Sequence, residues 1–250
     1  MTGFCLIYMN INFIIRFGTK RFSVLAMIIG IIAQGILLQC KEASESNTYA
    51  NDNGDQPGKQ VALFDGESFK GWEGDTVKIW RIESGSIVAG SLIESIPHND
   101  FLVTTRRYSN FVLGLKFKLK ATEGFVNAGV QFHSERLKDP AHEMKGYQAD
   151  IGPGYWASLY DESRRNKTLA QPDSVILIKL VRLNDWNDYE IRSEDRRIRL
   201  FLNGIQTVDY TEADETIPQS GLIGLQIHGG GKAEVYYKDL MIEELLPQNN

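Results

Sequence analysis

Ser109-Asn-Phe-Val-Leu-Gly-Leu-Lys-Phe-Lys-Leu-Lys120 is the stretch that decides the fold class. Successive side chains of an extended strand point to opposite faces. Phe111, Leu113, Leu115, Phe117 and Leu119 therefore share one face, and Lys116, Lys118 and Lys120 share the other. This alternation marks an antiparallel sheet with one wet side, and the lysines read as its solvated face. Short strands are expected on both sides of it: Val61 to Gly66, Asp100 to Thr104, Gly129 to Ser134, Tyr147 to Ile151 and Tyr189 to Arg192. Ile198 to Leu202 and Ile205 to Tyr210 flank Asn203-Gly204, a strong hairpin signal because both residues tolerate positive φ. Trp80 to Ala89 reads as another hairpin, around Ser84-Gly85, while Leu222 to Ile227 and Glu234 to Glu243 close the domain. Leu159 to Leu169 is ambiguous, and Asp173 to Leu183 reads equally as a short helix or a strand. About ten short strands with frequent glycine turns predict an all-β sandwich or barrel.

The composition narrows the function. Hydrophobic residues make up 42%, enough for a real core, and the net charge of -5 gives no basic footprint for nucleic acid. Cys5 and Cys40 both precede the expected domain, which excludes a Cys nucleophile, a Cys-ligated zinc site and a disulfide framework there. Arg16, Lys20 and Arg21 stand before the apolar run Phe22 to Cys40, the pattern of an export signal. The run ends in Leu37-Leu-Gln-Cys40, which resembles a bacterial lipoprotein cleavage box with Gln39 in place of the usual small residue. Residues 1–40 are thus expected to be a signal peptide with Cys40 as the lipidated residue, and an uncleaved membrane anchor is the alternative. Lys41 to Gly58, rich in Ser, Asn, Asp, Glu and Gly, is expected to be a flexible tether to a domain spanning 59–247. The expected state is an exported monomer, lipid-anchored in the periplasm or at the outer membrane.

The candidate site lies in Asn127 to Arg165. Alternation along Asn127-Ala-Gly-Val-Gln-Phe-His133 places Gly129, Gln131 and His133 on one face, and Gly146-Tyr-Gln-Ala-Asp-Ile151 places Gln148 and Asp150 on one face. These polar rows run into the loop Pro153-Gly-Tyr-Trp156 and into Leu159-Tyr-Asp-Glu-Ser-Arg-Arg165. Amide, imidazole and carboxylate closed by an aromatic loop suit a sugar better than a core.

Seven motifs carry a resemblance. In order they are Leu63-Phe-Asp-Gly66 with Gly71-Trp72, Asn127-Ala-Gly-Val130, Gly146-Tyr-Gln148, Leu159-Tyr-Asp-Glu162, Trp186-Asn187, Leu202-Asn-Gly204 and Gly224-Leu-Gln-Ile-His-Gly229. With them, Val61 to Leu245 resembles the 3-keto-disaccharide hydrolase domain, also described as a 3-keto-glucoside lyase and hydratase domain. The resemblance implies a concanavalin-like jelly roll of two curved antiparallel sheets and glycoside breakdown outside the cytoplasm. This chain departs from the commoner pattern: Ala128 stands where serine is usual, an arginine is usual near His133, and Gln148 stands where glutamate is usual.

The implied reaction needs no carboxylate pair. The ketone of a 3-keto sugar acidifies the hydrogen on carbon 2, a base removes it, a donor holds the enolate oxygen, and the aglycone leaves carbon 1. Water then adds to the unsaturated product. Asp150 is the first candidate base, with pairing to Arg164 or Arg165 as its structural alternative. His133 and His228 are candidate acids or bases, or sugar-hydroxyl partners. Gln131, Gln148 and Gln226 suit sugar hydroxyls, which also donate and accept. Trp156 and Tyr155 are placed to stack on a pyranose, whereas Trp72, Trp80 and Trp186 read as core. Tyr160, Arg164 and Arg165 could polarise the ketone, or be a charged loop held by Asp161 and Glu162. No cofactor and no metal ligand set is expected. The alternative function is a non-catalytic carbohydrate-binding module on the same fold. An ordinary glycosidase, which needs two carboxyls, is disfavoured because a second inward carboxylate is not evident.

Overall fold

The computed structural model describes residues 58–247; the expected signal peptide and nearly all of the expected tether lie outside them. The chain forms β1 (Gln60–Ala62), β2 (Trp72–Glu73), β3 (Trp80–Glu83), β4 (Ser86–Gly90), β5 (Asp100–Tyr108), β6 (Phe111–Gly124) and β7 (Ala128–Arg136). It continues with β8 (Met144–Ile151), β9 (Leu159–Glu162), β10 (Lys167–Ala170), a helix α1 (Ser174–Leu180) and β11 (Asn187–Glu194). The last strands are β12 (Arg197–Leu202), β13 (Ile205–Thr211), β14 (Gly221–Ile227) and β15 (Gly231–Glu244). Within 173–183 the short helix covers Ser174–Leu180, and the stretch 159–169 falls in two strands, β9 and β10.

Two antiparallel sheets stack. One has the order β13-β12-β11-β6-β15-β4-β3, with β1 added along β15; the other runs β10-β9-β8-β7-β14-β5-β2. The alternating face of β6 lies inward as expected: Phe111, Leu113, Leu115, Phe117 and Leu119 are buried against Val130, Phe132, Tyr147, Ala149, Leu225 and Ile227 of the opposite sheet. Asn203 and Gly204 both take positive φ in the β12–β13 turn. Trp72 and Trp80 are core, but Trp186 is not. It lies half-buried on the outer face of the larger sheet, between the ammonium groups of Lys118 and Lys238 at 4.8 and 4.2 Å. Cation–π attraction and the aliphatic lysine stems cover it there.

Buried tyrosines tie the sheets together beneath the candidate site. The Tyr237 hydroxyl of β15 lies 2.8 Å from the Gln226 carbonyl and 3.0 Å from that of Gly129. The Tyr189 hydroxyl of β11 donates to the Asp150 carbonyl at 3.3 Å. Burial pushes both phenols well above their ordinary pKa, so they remain donors. The backbone carrying Gly129, Asp150 and Gln226 is therefore held from below by the opposite sheet.

Candidate active site

The outer face of the seven-stranded sheet carries the polar rows. Register aligns Gln226 of β14 with Gly129 of β7, and Gly129 with Asp150 of β8. In the next row Gly224 meets Gln131, Gln131 meets Gln148, and Gln148 meets Tyr160 of β9. Asp150 lines a hollow of about 160 Å³ with Phe125, Asn127, Gln148, Tyr155, Tyr160, Glu162 and His228. Phe125 and Tyr155 form its aromatic rim, ring centroids 6.2 Å apart.

A directed chain of hydrogen bonds ends on Asp150. The Ser134 hydroxyl donates to Gln131 Oε1 (2.6 Å), Gln131 Nε2 to Gln148 Oε1 (3.0 Å), and Gln148 Nε2 to Asp150 Oδ1 (2.7 Å). Weaker donors approach from Asn127 Nδ2 (3.4 Å) and Ser158 Oγ (3.5 Å). Gly129 makes room for this chain, because a Cβ there would stand 2.8 Å from Gln148 Cγ and Cδ. Asp150 is 3% exposed. Burial raises its pKa to about 7, against the pull of the Gln148 and Asn127 donors. Glu162 is also raised to about 7, first by burial and then by the nearby Glu143 carboxylate. The hollow thus holds two carboxyls poised near neutrality, a condition suited to proton transfer.

His228 sits at the mouth, its ring 4.6 Å from that of Phe125. Its Nδ1–H donates to the Gly229 carbonyl at 2.7 Å, which fixes the ring and leaves Nε2 outside that bond. Burial holds the Tyr160 phenol above its ordinary pKa, so it stays an O–H donor. Gln226 lies in the Asp150 row, fully buried beside Phe101, and its amide bonds to no described residue. Gln131 is fully buried and engages Gln148 and Ser134 through both ends of its amide.

Six predicted residues do not line this hollow: Gln131 and Gln226, fully buried in neighbouring positions of the sheet, and His133, Arg164, Arg165 and Trp156. Gln131 and His133 do not share a face, because the register of β7 on β8 shifts between Phe132 and Glu135. His133 takes φ 45° there, and its ring turns in among Phe111, Phe132 and Tyr147. The bulge also requires Gly221, where a Cβ would stand 2.2 Å from the His133 carbonyl carbon. Burial lowers the His133 pKa to about 4, so the ring is neutral, and its Nε2–H donates to the Ser109 carbonyl at 2.8 Å. Arg164 and Arg165 clamp Asp161, which pairs with Tyr147 in register and so points inward; Arg165 also reaches Glu212 at 2.6 Å. They form a charged plug at the sandwich end, and Asp150 has no arginine partner among the described residues. Trp156 tucks inward, stacked on Phe117 with centroids 6.3 Å apart, while Tyr155 beside it stays at the rim.

Glu162, Asn127 and Phe125 were missed as site residues. Alternation in Leu159-Tyr-Asp-Glu162 gives the signal for Glu162, since it shares the Tyr160 face opposite Asp161. Among the described residues, no three His, Cys, Asp or Glu side chains gather as a metal ligand set.

The sequence profile of the 3-keto-alpha-glucoside-1,2-lyase-like domain matches residues 59–243. Among solved structures, a candidate glycosyl hydrolase from Parabacteroides distasonis is similar with a TM-score of 0.55 and 21% identity, covering 75% of this chain and 94% of its own. The carbohydrate binding module CBM66 from Bacillus subtilis is similar with a TM-score of 0.54 and 15% identity, covering 70% and 96%. A Bacillus subtilis protein with a galectin-like fold gives 0.57 and 12%, covering 77% and 99%. At these identities the structures show a shared jelly-roll fold. No curated protein matches the chain.

Proposed function

Because the chain belongs to the 3-keto-alpha-glucoside-1,2-lyase-like domain family, we propose that it cleaves 3-keto-glucosides or 3-keto-disaccharides by base-catalysed elimination followed by hydration. The observation that carries this is Asp150, buried in a small hollow, without a cationic partner, and raised to about 7. Asp150 takes the proton from carbon 2. Tyr160 O–H and Asn127 Nδ2–H are the donors nearest to hand for the enolate oxygen. Glu162, protonated in part near neutrality, gives its proton to the oxygen leaving carbon 1. Nε2 of His228 bonds a sugar hydroxyl, and Gln148 fixes the carboxylate. The same proposal includes export, with Cys40 lipidated and residues 41–58 as tether. Gel mobility and radiolabelled palmitate incorporation in the wild type and Cys40→Ala test that part.

Purified protein should release a chromogenic aglycone from a 3-keto-glucoside but not from the parent glucoside. Asp150→Asn should abolish release while the fold persists. A folded wild type that binds the sugar without turnover would instead make this a carbohydrate-binding module. The presence of Glu162 in the same hollow favours one second reading, hydrolysis by a carboxyl pair without the ketone. Release from the parent glucoside would support that reading.

A further inference from the structure

Beside the Asp150 hollow runs a larger groove of about 740 Å³, between the loop 152–158 and α1. The hollow falls below the roughly 300–1,000 Å³ of pockets that take drug-sized ligands, and the groove falls within that range. Its apolar lining is Tyr155, Trp156, Leu177, Ile178, Val181 and Leu183, and Ser158, Gln171, Asp173 and Ser174 add polar groups along one side. α1 is capped by Asp173, whose carboxylate accepts from Val175 N, and it reads Ser-Val-Ile-Leu-Ile-Lys-Leu. Leu177 and Val181 pack on the core, but Ile178 is 82% and Leu183 68% exposed. Apolar side chains gathered at the lip of a groove mark a surface that meets something apolar.

The groove and the hollow adjoin at one residue. Tyr155 lines both. Ser158 lines the groove, and its hydroxyl lies 3.5 Å from Asp150 Oδ2. The Asp150 amide also donates to the Ser158 carbonyl at 3.0 Å. Ser158 thus stands between the groove and the base. A glycoside whose carbon 2 stands at Asp150 carries its aglycone on the adjacent carbon 1, so the aglycone must lie against the surface next to the base. On the Ser158 side of the base that surface is Tyr155 and Trp156 facing α1.

We infer that this groove receives the aglycone, and that the substrate is a glycoside with an apolar, ring-bearing aglycone, in preference to a second sugar. This rests on the proposed cleavage chemistry for the use of Asp150, but the groove's ligand preference can be read without turnover. A flat aglycone slides between Tyr155 with Trp156 on one wall and Leu177 with Ile178 on the other, removing apolar surface on both sides from water. A second sugar would set hydroxyls against Leu177, Ile178, Val181 and Leu183, away from Gln171, Asp173 and Ser174.

The test uses the purified chain and its Ile178→Glu/Leu183→Glu variant, since both positions are exposed and the change leaves the core untouched. The 1-naphthyl and methyl 3-keto-glucosides are compared by kcat/KM, and the unoxidised 1-naphthyl glucoside by calorimetric binding. The expected result is that the ratio of naphthyl to methyl kcat/KM falls about tenfold in the variant, and naphthyl-glucoside binding weakens by a similar factor. A ratio unchanged in the variant, with both substrates turned over, would overturn the groove assignment. Loss of naphthyl-glucoside binding in the variant, with no turnover of either 3-keto-glucoside by the wild type, would overturn the cleavage chemistry and leave the groove standing. Sedimentation of the wild type with lipid vesicles, lost in the variant while naphthyl binding is unaffected, would show a membrane-facing surface and also overturn the inference.

Discussion

Replacing Asp150 by Asn should make the protein more stable at alkaline pH while removing its chemistry. In the folded chain burial holds the carboxyl near 7, against 3.8 for an ordinary aspartate. Below about 4 both folded and unfolded states keep the proton, and Asp150 costs the fold nothing by titration. Between these values the unfolded state releases its proton and the folded state does not, so stability falls as pH rises. The loss runs at about 1.36 kcal/mol per pH unit over roughly three units, a ceiling of about 4 kcal/mol that is complete above pH 7. Asparagine has no such titration and can still accept from Gln148 Nε2. Urea denaturation of wild type and Asp150→Asn at about pH 4 and pH 8 measures the difference. The stability gap in favour of the variant should widen by about 2–4 kcal/mol from the lower to the higher pH. Glu162 titrates in both proteins and cancels to first order. Parallel profiles would refute the claim that Asp150 is a desolvated base, and with it the reason for assigning it the proton transfer.

Other consequences follow from the same geometry. With Asp150 and Glu162 both near 7, kcat/KM for a 3-keto-glucoside should follow a narrow bell around neutrality. Its acid limb belongs to the base and its alkaline limb to the proton donor, and the two apparent pKa values belong to the pair. A pH-independent plateau from pH 5 to 9 would exclude the assignment. Gly129→Ala should push Gln148 off Asp150, destabilise by about 1–3 kcal/mol in chemical denaturation and lower turnover; an unchanged melting curve with full activity would count against the hydrogen-bond chain. His133→Ala should cost about 2–4 kcal/mol in the same assay through the cavity it leaves among Phe111, Phe132 and Tyr147, yet leave kcat/KM within about twofold. A selective loss of activity would return His133 to the site.

Much of the sandwich was legible because alternation is a strong signal wherever one face is buried. Phe111 to Lys120 and the Asn203-Gly204 turn read straight through to β6 and the β12–β13 hairpin. The Asp150 face was legible for the same reason. His133 was not, since a single bulge reverses every face after it, and the left-handed residue that made this bulge is a histidine rather than a glycine. Arg164 and Arg165 were misplaced because their partner, Asp161, lies one residue from both Tyr160 and Glu162 in the chain yet on the other side of the sheet. Trp186 was read as core because aromatic residues commonly pack inside sandwiches, while two lysines cover it on the outside. The aglycone groove depends on a seven-residue helix folding beside a distant loop, and no local pattern carries that juxtaposition.

The account stands most directly on what happens to the hydrogen at carbon 2. A 3-keto-glucoside deuterated there, cleaved in ordinary water by the wild type and followed by mass spectrometry at early times, should give product without the label, and Asp150→Asn should give no cleavage. Product that retains its deuterium, or cleavage by the variant at the wild-type rate, would contradict it.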